Sequence, residues 1–410
     1  MIKIEKKENC SGCTACVAIC PKSCIEMKED NEGFLYPEVN EQKCVECGFC
    51  EKICPILNPK KEEEFKQDAY IVQNKDEKVL RESTAGGAFT AIAKYVLSRK
   101  GVVFGVELDK NLTAHHIYVE REEDLSRFRN SKYIQSFVGG GSTHKQVKSF
   151  LEQGKFVCFS GTPCQIEGLK NYLRKDYEKT GAAYTPSLLI TVDVVCRAVP
   201  SPLIFRKYVE YQECKMKEHI EKVFFRDKHY GYKYSTMNVI TDRNQGNYHQ
   251  GVESDPWLRA FFSNICDRPS CHKCHFRKRY RVSDFTIWDC FHAGRFSKEL
   301  DNDKGATRVL VHTDKGRKIF DEIKSDMYFV QTKPEDIIEG AKEMRESVSP
   351  NVHRQEFFED ASKLNGEQLF QKYFPDTLRV KMEHCVRLMC YKLGIYSIAK
   401  KMYVRITHKY

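Results

Sequence analysis

Eight cysteines near the amino-terminal end form two copies of one pattern. Cys10, Cys13, Cys16 and Cys20 precede Pro21; Cys44, Cys47, Cys50 and Cys54 precede Pro55, so the first set recurs 34 positions later. The spacing C-x2-C-x2-C-x3-C-P is the bacterial run for cubane iron–sulfur clusters. Three thiolates two residues apart wrap three corners of one cluster, while the fourth, beyond a wider turn, reaches the other. One 4Fe-4S cluster is therefore expected on Cys10, Cys13, Cys16 and Cys54, and a second on Cys44, Cys47, Cys50 and Cys20. Small residues such as Gly12, Ala15 and Gly48 let backbone N–H groups approach the sulfurs, which tunes the reduction potential. A pair of structural zinc knuckles competes, but zinc demands neither this repeat nor its paired prolines. Cys24 falls outside the pattern and reads as structural.

Residues 1–58 thus resemble a two-cluster ferredoxin, and Pro59 with the charged run Lys60 to Glu64 marks a linker, 59–68. The 410 residues hold 19 cysteines, and the start MIKIEKKENC lacks an apolar leader. Reduced, metal-bound thiols in a cytoplasmic protein are expected rather than a disulfide framework. No apolar run of about 18 residues, the length that would span a bilayer, occurs in the chain. The net charge of +10 does not point to nucleic acid, because from Asp376 to Tyr410 eight Lys/Arg face two Asp/Glu and the rest is nearly balanced. A zinc-rich nucleic-acid-binding module is the weakest reading, and no nucleic-acid partner is expected.

Beyond residue 68 the texture alternates. Apolar strand segments lie at Ala69–Val72, Val102–Val106, Phe156–Phe159 and Leu188–Val195, with helical periodicity at Gly87–Arg99, at Thr143–Glu152 and after Pro163. Strands alternating with helices predict a largely parallel α/β sheet, here over 69–330 (α+β for the whole chain), followed by a helical extension with a basic tail over 331–410.

In such sheets ligands gather where strands end and helices begin. Ser83-Thr84-Ala85-Gly86-Gly87 opens a helix with hydroxyls and backbone N–H groups that suit an anion, though a plain N-cap has the same look. Ser131-Lys132-Tyr133 supplies a cation and an aromatic face, suiting a flavin or nucleotide and equally a solvated loop. Cys164 begins a helix, where the macrodipole favours a thiolate, and Cys196 closes a strand. Cys271-His272-Lys273-Cys274 offers two adjacent ligands and needs two more. Cys164 and Cys196 are placed to supply them, giving a third four-thiolate site; zinc, a redox dithiol, or Cys266 in place of Cys164 are the alternatives.

Taken in order, STAGGAFTAIAKYVLSRKGVVFG, SKYIQS, FSGTPCQIEGLKNYL, VDVVCRAVPSP, RPSCHKCHF and SDFTIWDCF resemble the family of coenzyme F420 hydrogenase/dehydrogenase beta subunits over about residues 68–325. Similar proteins with a fused ferredoxin occur in bacterial surface-polysaccharide gene clusters. The resemblance implies bound FAD near Ser83, Gly86, Gly87, Ser131, Lys132 and Tyr133. It also implies an additional 4Fe-4S cluster on Cys164, Cys196, Cys271 and Cys274. The sequence departs from the family at two places: Trp288 stands for a glycine, and Arg197-Ala198 for His-Gly.

Two functions compete. One is an iron–sulfur flavoenzyme passing electrons between a ferredoxin or F420-like redox partner and a small organic substrate, with a role in polysaccharide biosynthesis in view. The other is a non-catalytic electron-transfer adaptor between two redox proteins. Lys132, Tyr133 and His292 are the candidate general acids. The tail from Leu378 to Ile406 mixes apolar residues with Arg387, Lys392, Lys400 and Lys401. At helical spacing it suits peripheral contact with the inner face of a membrane, and equally a homo-oligomer contact or a packing helix.

Overall fold

Each copy of the cysteine repeat folds into the same short unit. Ala15–Ile19 and Phe49–Lys52 form matching helical turns, entered through left-handed residues at Thr14 (φ 60°) and Gly48 (φ 71°), 34 positions apart. The repeat is therefore one of backbone conformation as well as of sulfur. Between the copies lies an antiparallel hairpin of β1 (Ile25–Glu29) and β2 (Leu35–Val39). The structure is a computed structural model that describes residues 1–181, 185–243, 248–396 and 398–399.

The described residues then give, in chain order, β3 (Asp68–Asn74), β4 (Val102–Leu108), β5 (Ala114–Val119), β6 (Val157–Gly161), β7 (Leu189–Val194), β8 (Ile220–Asp227), β9 (Thr236–Thr241), β10 (Tyr248–Gln250), β11 (Phe285–Asp289), β12 (Thr307–Val311) and β13 (Met327–Thr332). Eight of them form one sheet in the order β13-β3-β12-β11-β7-β6-β4-β5. The α/β class expected from the sequence is found, with parallel pairing confined to the centre: β4–β6, β6–β7 and β7–β11 run parallel. The outer pairs β5–β4, β11–β12, β12–β3 and β3–β13 are antiparallel, so the sheet is mixed. The reason is connectivity. The helices Ser142–Glu152 and Pro163–Thr180 make crossovers, whereas β5 follows β4 through a tight turn at Asp109–Thr113 that only an antiparallel pair tolerates.

Helices cover both faces, which is why the central strands read as unbroken apolar runs: Val102–Phe104 and Val157–Phe159 are fully buried. On one face the helices Ala88–Leu97 and Asp314–Ile323 pack together. On the other, Ile166 and Leu169 of Pro163–Thr180 and Val147 of Ser142–Glu152 share a core with Ala15, Ala18, Ile19 and Ile53 of the cysteine repeat. Burying an isoleucine such as Ile19 or Ile53 contributes about 2 kcal/mol. The amino-terminal unit is thus packed into the body, and the expected linker is tied down as well: Glu62 accepts from the backbone N–H groups of Arg279 and Tyr280. A separate antiparallel sheet, β10-β9-β8, packs with the helices Pro202–Met216, Pro256–Phe262 and Gly366–Tyr373 around Phe205, Tyr208 and Trp257.

Beyond β13 the regular elements among the described residues are all helices, as expected, the last being Leu378–Lys392. Lys400 and Lys401, part of the basic tail, lie outside the described residues. Cys385, on this helix, is exposed.

Candidate iron–sulfur and cofactor site

The sulfurs of the repeat fall into two spatial groups. Cys44, Cys47 and Cys50 line one cavity with Cys20 from the other copy, and with Cys24. Cys24 is therefore more than a distant packing residue, its Sγ lying 3.4 Å from that of Cys20. The second group lies deeper. Burial pushes the Cys13 and Cys16 thiols far up, and the neighbouring sulfurs of Cys10 and Cys54 push both further.

Cys164, Cys196, Cys271 and Cys274 line a single cavity, with Ser11, Thr162, Arg277 and Arg281 among the surrounding residues. Topology closes the long sequence gap. Cys164 stands in the first turn of the helix after β6, and Cys196 lies just past the end of the adjacent parallel strand β7. Cys271 lies in the turn Pro269–Lys273, which Cys274 caps. Cys266, the alternative ligand, is fully buried and is absent from that lining. Burial pushes the Cys164 thiol up to about 11 and the Cys196 thiol to about 12, with Arg277 pulling the latter down. Arg277 is fixed by the carbonyl oxygens of Cys196, Arg197 and Glu343. The Cys13 thiol is within electrostatic reach of Cys164, so this cavity adjoins the deeper amino-terminal group.

The residues expected at a flavin are near one another but largely engaged. Thr84 Oγ1 accepts from the Ser131 backbone N–H (2.7 Å) and shares a hydrogen bond with the Ser131 hydroxyl (3.0 Å). The Gly86 N–H donates to Thr307 Oγ1 (2.8 Å), and a Cβ there would lie 2.3 Å from the Val72 carbonyl oxygen. Strand packing explains that glycine. A Cβ on Gly87 would meet Val79 and Asn74, and Ser83 is buried beneath the same turn. Lys132 Nζ donates to the carbonyls of Arg127 (3.1 Å) and Arg129 (2.8 Å), and burial pushes its pKa down to about 7. Tyr133 stacks on Phe261 at 4.6 Å, its hydroxyl 3.4 Å from Arg226. His292 is exposed, heading the turn Ala293–Arg295.

Sequence reading missed the charged group beside Tyr133. Arg226 on β8 pairs with Asp289 at the end of β11 (2.6 Å), and one guanidinium nitrogen, Nη2, is buried without a partner. Tyr232 donates to the other Asp289 oxygen (3.2 Å) and stacks on Phe291. Lys228 Nζ donates to the carbonyls of Leu80, Ala85 and Lys304; burial and Arg226 hold its pKa down near about 7. Only Asp289 carried a signal, its place at the carboxyl end of a strand. The strip joins the four-cysteine cavity through aromatic contact: Tyr133 lies beside Phe262, over which sits Arg197, the residue after Cys196. Trp288 packs instead among apolar residues that include Ile71 and Ile337.

Asp193, which interrupts an apolar strand, is structural. It accepts from Arg281 (3.1 Å), Ser283 (2.9 Å) and Thr286 (2.6 Å). Thr286 in turn meets His312 Nε2 (2.8 Å), whose Nδ1 meets Gln67 (3.0 Å). Every member of that buried chain is satisfied, as a low-dielectric interior requires.

Comparison with known proteins agrees with both halves. Residues 154–337 match the family model for the carboxy-terminal part of the beta subunit of coenzyme F420 hydrogenase/dehydrogenase, and residues 9–57 match a 4Fe-4S dicluster domain. The chain is 25% identical over 180 residues to one of the subunits of the F(420)H(2) dehydrogenase of Methanosarcina mazei, covering 41% of this chain and 49% of that protein. It is 27% identical over 172 residues to the coenzyme F420-dependent sulfite reductase of Methanocaldococcus jannaschii, covering 39% of this chain and 24% of that one. The chain thus spans half or less of the length of these two relatives. Ferredoxin 7Fe of Hydrogenibacillus schlegelii is 37% identical over 75 residues, covering 17% of this chain and 87% of the ferredoxin. A chain of the F420-reducing NiFe hydrogenase complex from Methanosarcina barkeri superposes with a TM-score of 0.44 at 18% identity, covering 77% of this chain and 92% of that chain. Residues 154–337 are therefore related to the carboxy-terminal part of coenzyme F420 hydrogenase/dehydrogenase beta subunits, and residues 9–57 form a 4Fe-4S dicluster ferredoxin domain in the same chain.

Proposed function

We propose that this iron–sulfur redox protein is a flavin-dependent oxidoreductase that passes electrons between a ferredoxin or F420-like partner and a small organic substrate. The division is ferredoxin over 1–58, linker over 59–68, a cofactor-binding body over 69–330 and a helical extension over 331–410. Cys10, Cys13, Cys16 and Cys54 would hold one 4Fe-4S cluster; Cys20, Cys44, Cys47 and Cys50 a second; Cys164, Cys196, Cys271 and Cys274 a third.

The observation that carries the third site is its donor set: four thiols from three places in the chain around one cavity, with Arg277 and Arg281 to offset negative charge. Among the described residues no three His, Cys, Asp or Glu side chains converge closely enough for a single metal ion. Thiols spread around a cavity suit a polynuclear cluster better than tetrahedral zinc.

For FAD the fit rests on the strip of Tyr133, Ser131, Arg226 and Lys228 rather than on Gly86 and Gly87. The orphaned Arg226 nitrogen, buried and cationic, is a donor without an acceptor, and flavins present carbonyl and phosphate oxygens. When bound, clusters carry electrons singly and a flavin pairs them for a hydride step. Burial keeps the Tyr133 hydroxyl protonated, so among the candidate acids it holds a proton in the strip, while the Lys132 ammonium is committed to backbone carbonyls.

Anaerobic purification with iron, sulfide and flavin quantified tests the reading. About twelve irons and one flavin per chain are expected; about eight irons would leave only the ferredoxin pair. Offering the reduced protein small-molecule acceptors then separates an enzyme from an adaptor, since only an enzyme reoxidises its flavin with them.

A further inference from the structure

The helix Leu378–Lys392 is amphipathic in the inverse sense to an ordinary surface helix. Its polar side faces the body. His384 Nδ1 lies 2.9 Å from Glu253, Arg387 lies 3.7 Å from the same carboxylate, and the Tyr391 hydroxyl donates to Asp303 at 3.0 Å. These three residues, at spacings of three and four, share one helix face.

The opposite face carries Leu378, Met382, Val386, Met389 and Leu393, again at spacings of three and four, with exposures of 74%, 59%, 57%, 61% and 68%. Ile395 and Ile398 continue the exposed apolar surface. Scattered exposed aliphatics are ordinary, but a continuous stripe along a helix is not. At 100° per residue, Lys381 and Lys392 border one edge of this stripe and Arg379 the other, and all three are exposed.

We propose that this helix seats the protein on an anionic lipid surface, its apolar stripe entering the boundary between headgroups and acyl chains. Charge selects this occupant. Long cationic side chains on both edges of an apolar stripe reach up to anionic headgroups while the stripe is immersed. From Asp376 onward the chain has eight Lys/Arg against two Asp/Glu, which complements an anionic leaflet. A second copy of the same helix would bring like charge against like charge. Among the described residues no helix is long and apolar enough to cross a membrane, so the contact is peripheral.

Sedimentation of the purified, cofactor-loaded protein with vesicles tests this. One set is phosphatidylcholine alone and the other phosphatidylcholine with phosphatidylglycerol in a ratio of about three to one. Binding is expected only to the anionic vesicles, weakening at high salt by roughly fivefold for each cation engaged. Met389→Asp and Met382→Asp, at exposed positions outside the cofactor strip, should each weaken binding at least about tenfold while leaving the visible spectrum and iron content unchanged. Failure to sediment with anionic vesicles overturns the proposal, as does equal binding to uncharged ones. Self-association abolished by the same substitutions, without lipid binding, would identify a second copy as the occupant and likewise overturn it.

Discussion

Gly168 and Cys13 meet with no side chain between them: a Cβ on Gly168 would lie 2.9 Å from the Cys13 sulfur and 2.8 Å from its Cβ. Glycine inside a helix costs about 1 kcal/mol against alanine, so its presence here reflects a close approach. The helix that carries Cys164 in its first turn thus lays its next turn directly on the cysteine repeat. Gly168→Val should destabilise the protein by about 1–3 kcal/mol, read as a lower denaturation midpoint. With iron content retained, electron transfer from the amino-terminal clusters into the body should slow; an unchanged rate and midpoint would contradict this role for the contact.

The four-cysteine cavity makes a selective prediction. Cys274→Ala should remove about four of twelve irons per chain, while Cys266→Ala leaves iron unchanged, because Cys266 is buried away from the cavity. Iron and sulfide assays on anaerobic protein decide between them.

Arg226 and Asp289 form a largely buried ion pair (2.6 Å). Removing one partner strands the other charge, so Arg226→Ala should cost about 3 kcal/mol in stability. The double variant with Asp289→Ala should lose less than the sum of the singles. If Arg226 also meets the flavin, Arg226→Lys, which keeps a charge but not the fork, should purify with less flavin at unchanged iron.

Acid stability should depend on three buried histidines. Burial pushes His116 down to about 4, and His144 and His312 to about 3, from the ordinary 6.5. Below pH 6.5 the unfolded chain takes up protons that the folded chain refuses, so stability falls with pH until those folded values are reached. Each histidine contributes up to about 1.4 kcal/mol per pH unit across that window. Anaerobic urea titrations at pH 7.5 and 5.5 should show the loss, and His144→Leu should flatten the slope.

The cysteine repeat was legible because cluster ligation is set by local spacing, and the central βαβ strands because helices on both faces leave continuous apolar runs. The antiparallel flanks were not, because pairing direction follows connection length, and the alternation of strand and helix over 69–195 masked the turn between β4 and β5. The third set of cysteines was legible only in pieces, since Cys164 and Cys196 become neighbours through the pairing of β6 with β7. Arg226 lay beyond reach: it sits on an antiparallel strand without a motif, and only folding brings it to Asp289. Gly86 shows the converse, a glycine whose motif suggested a ligand and whose neighbours turn out to be β3 and β12.

The apolar seam formed by Ala15, Ala18 and Ile19 against Ile166 and Leu169 decides how this protein meets others. A tethered carrier would swing between donors and acceptors; here the ferredoxin portion is packed against the body, and removing it would bare the apolar face of the helix Pro163–Thr180. A redox protein exchanging electrons with this chain would have to dock at a fixed outer rim, where Cys47 is exposed and Cys10, Cys20, Cys44 and Cys54 are half-buried.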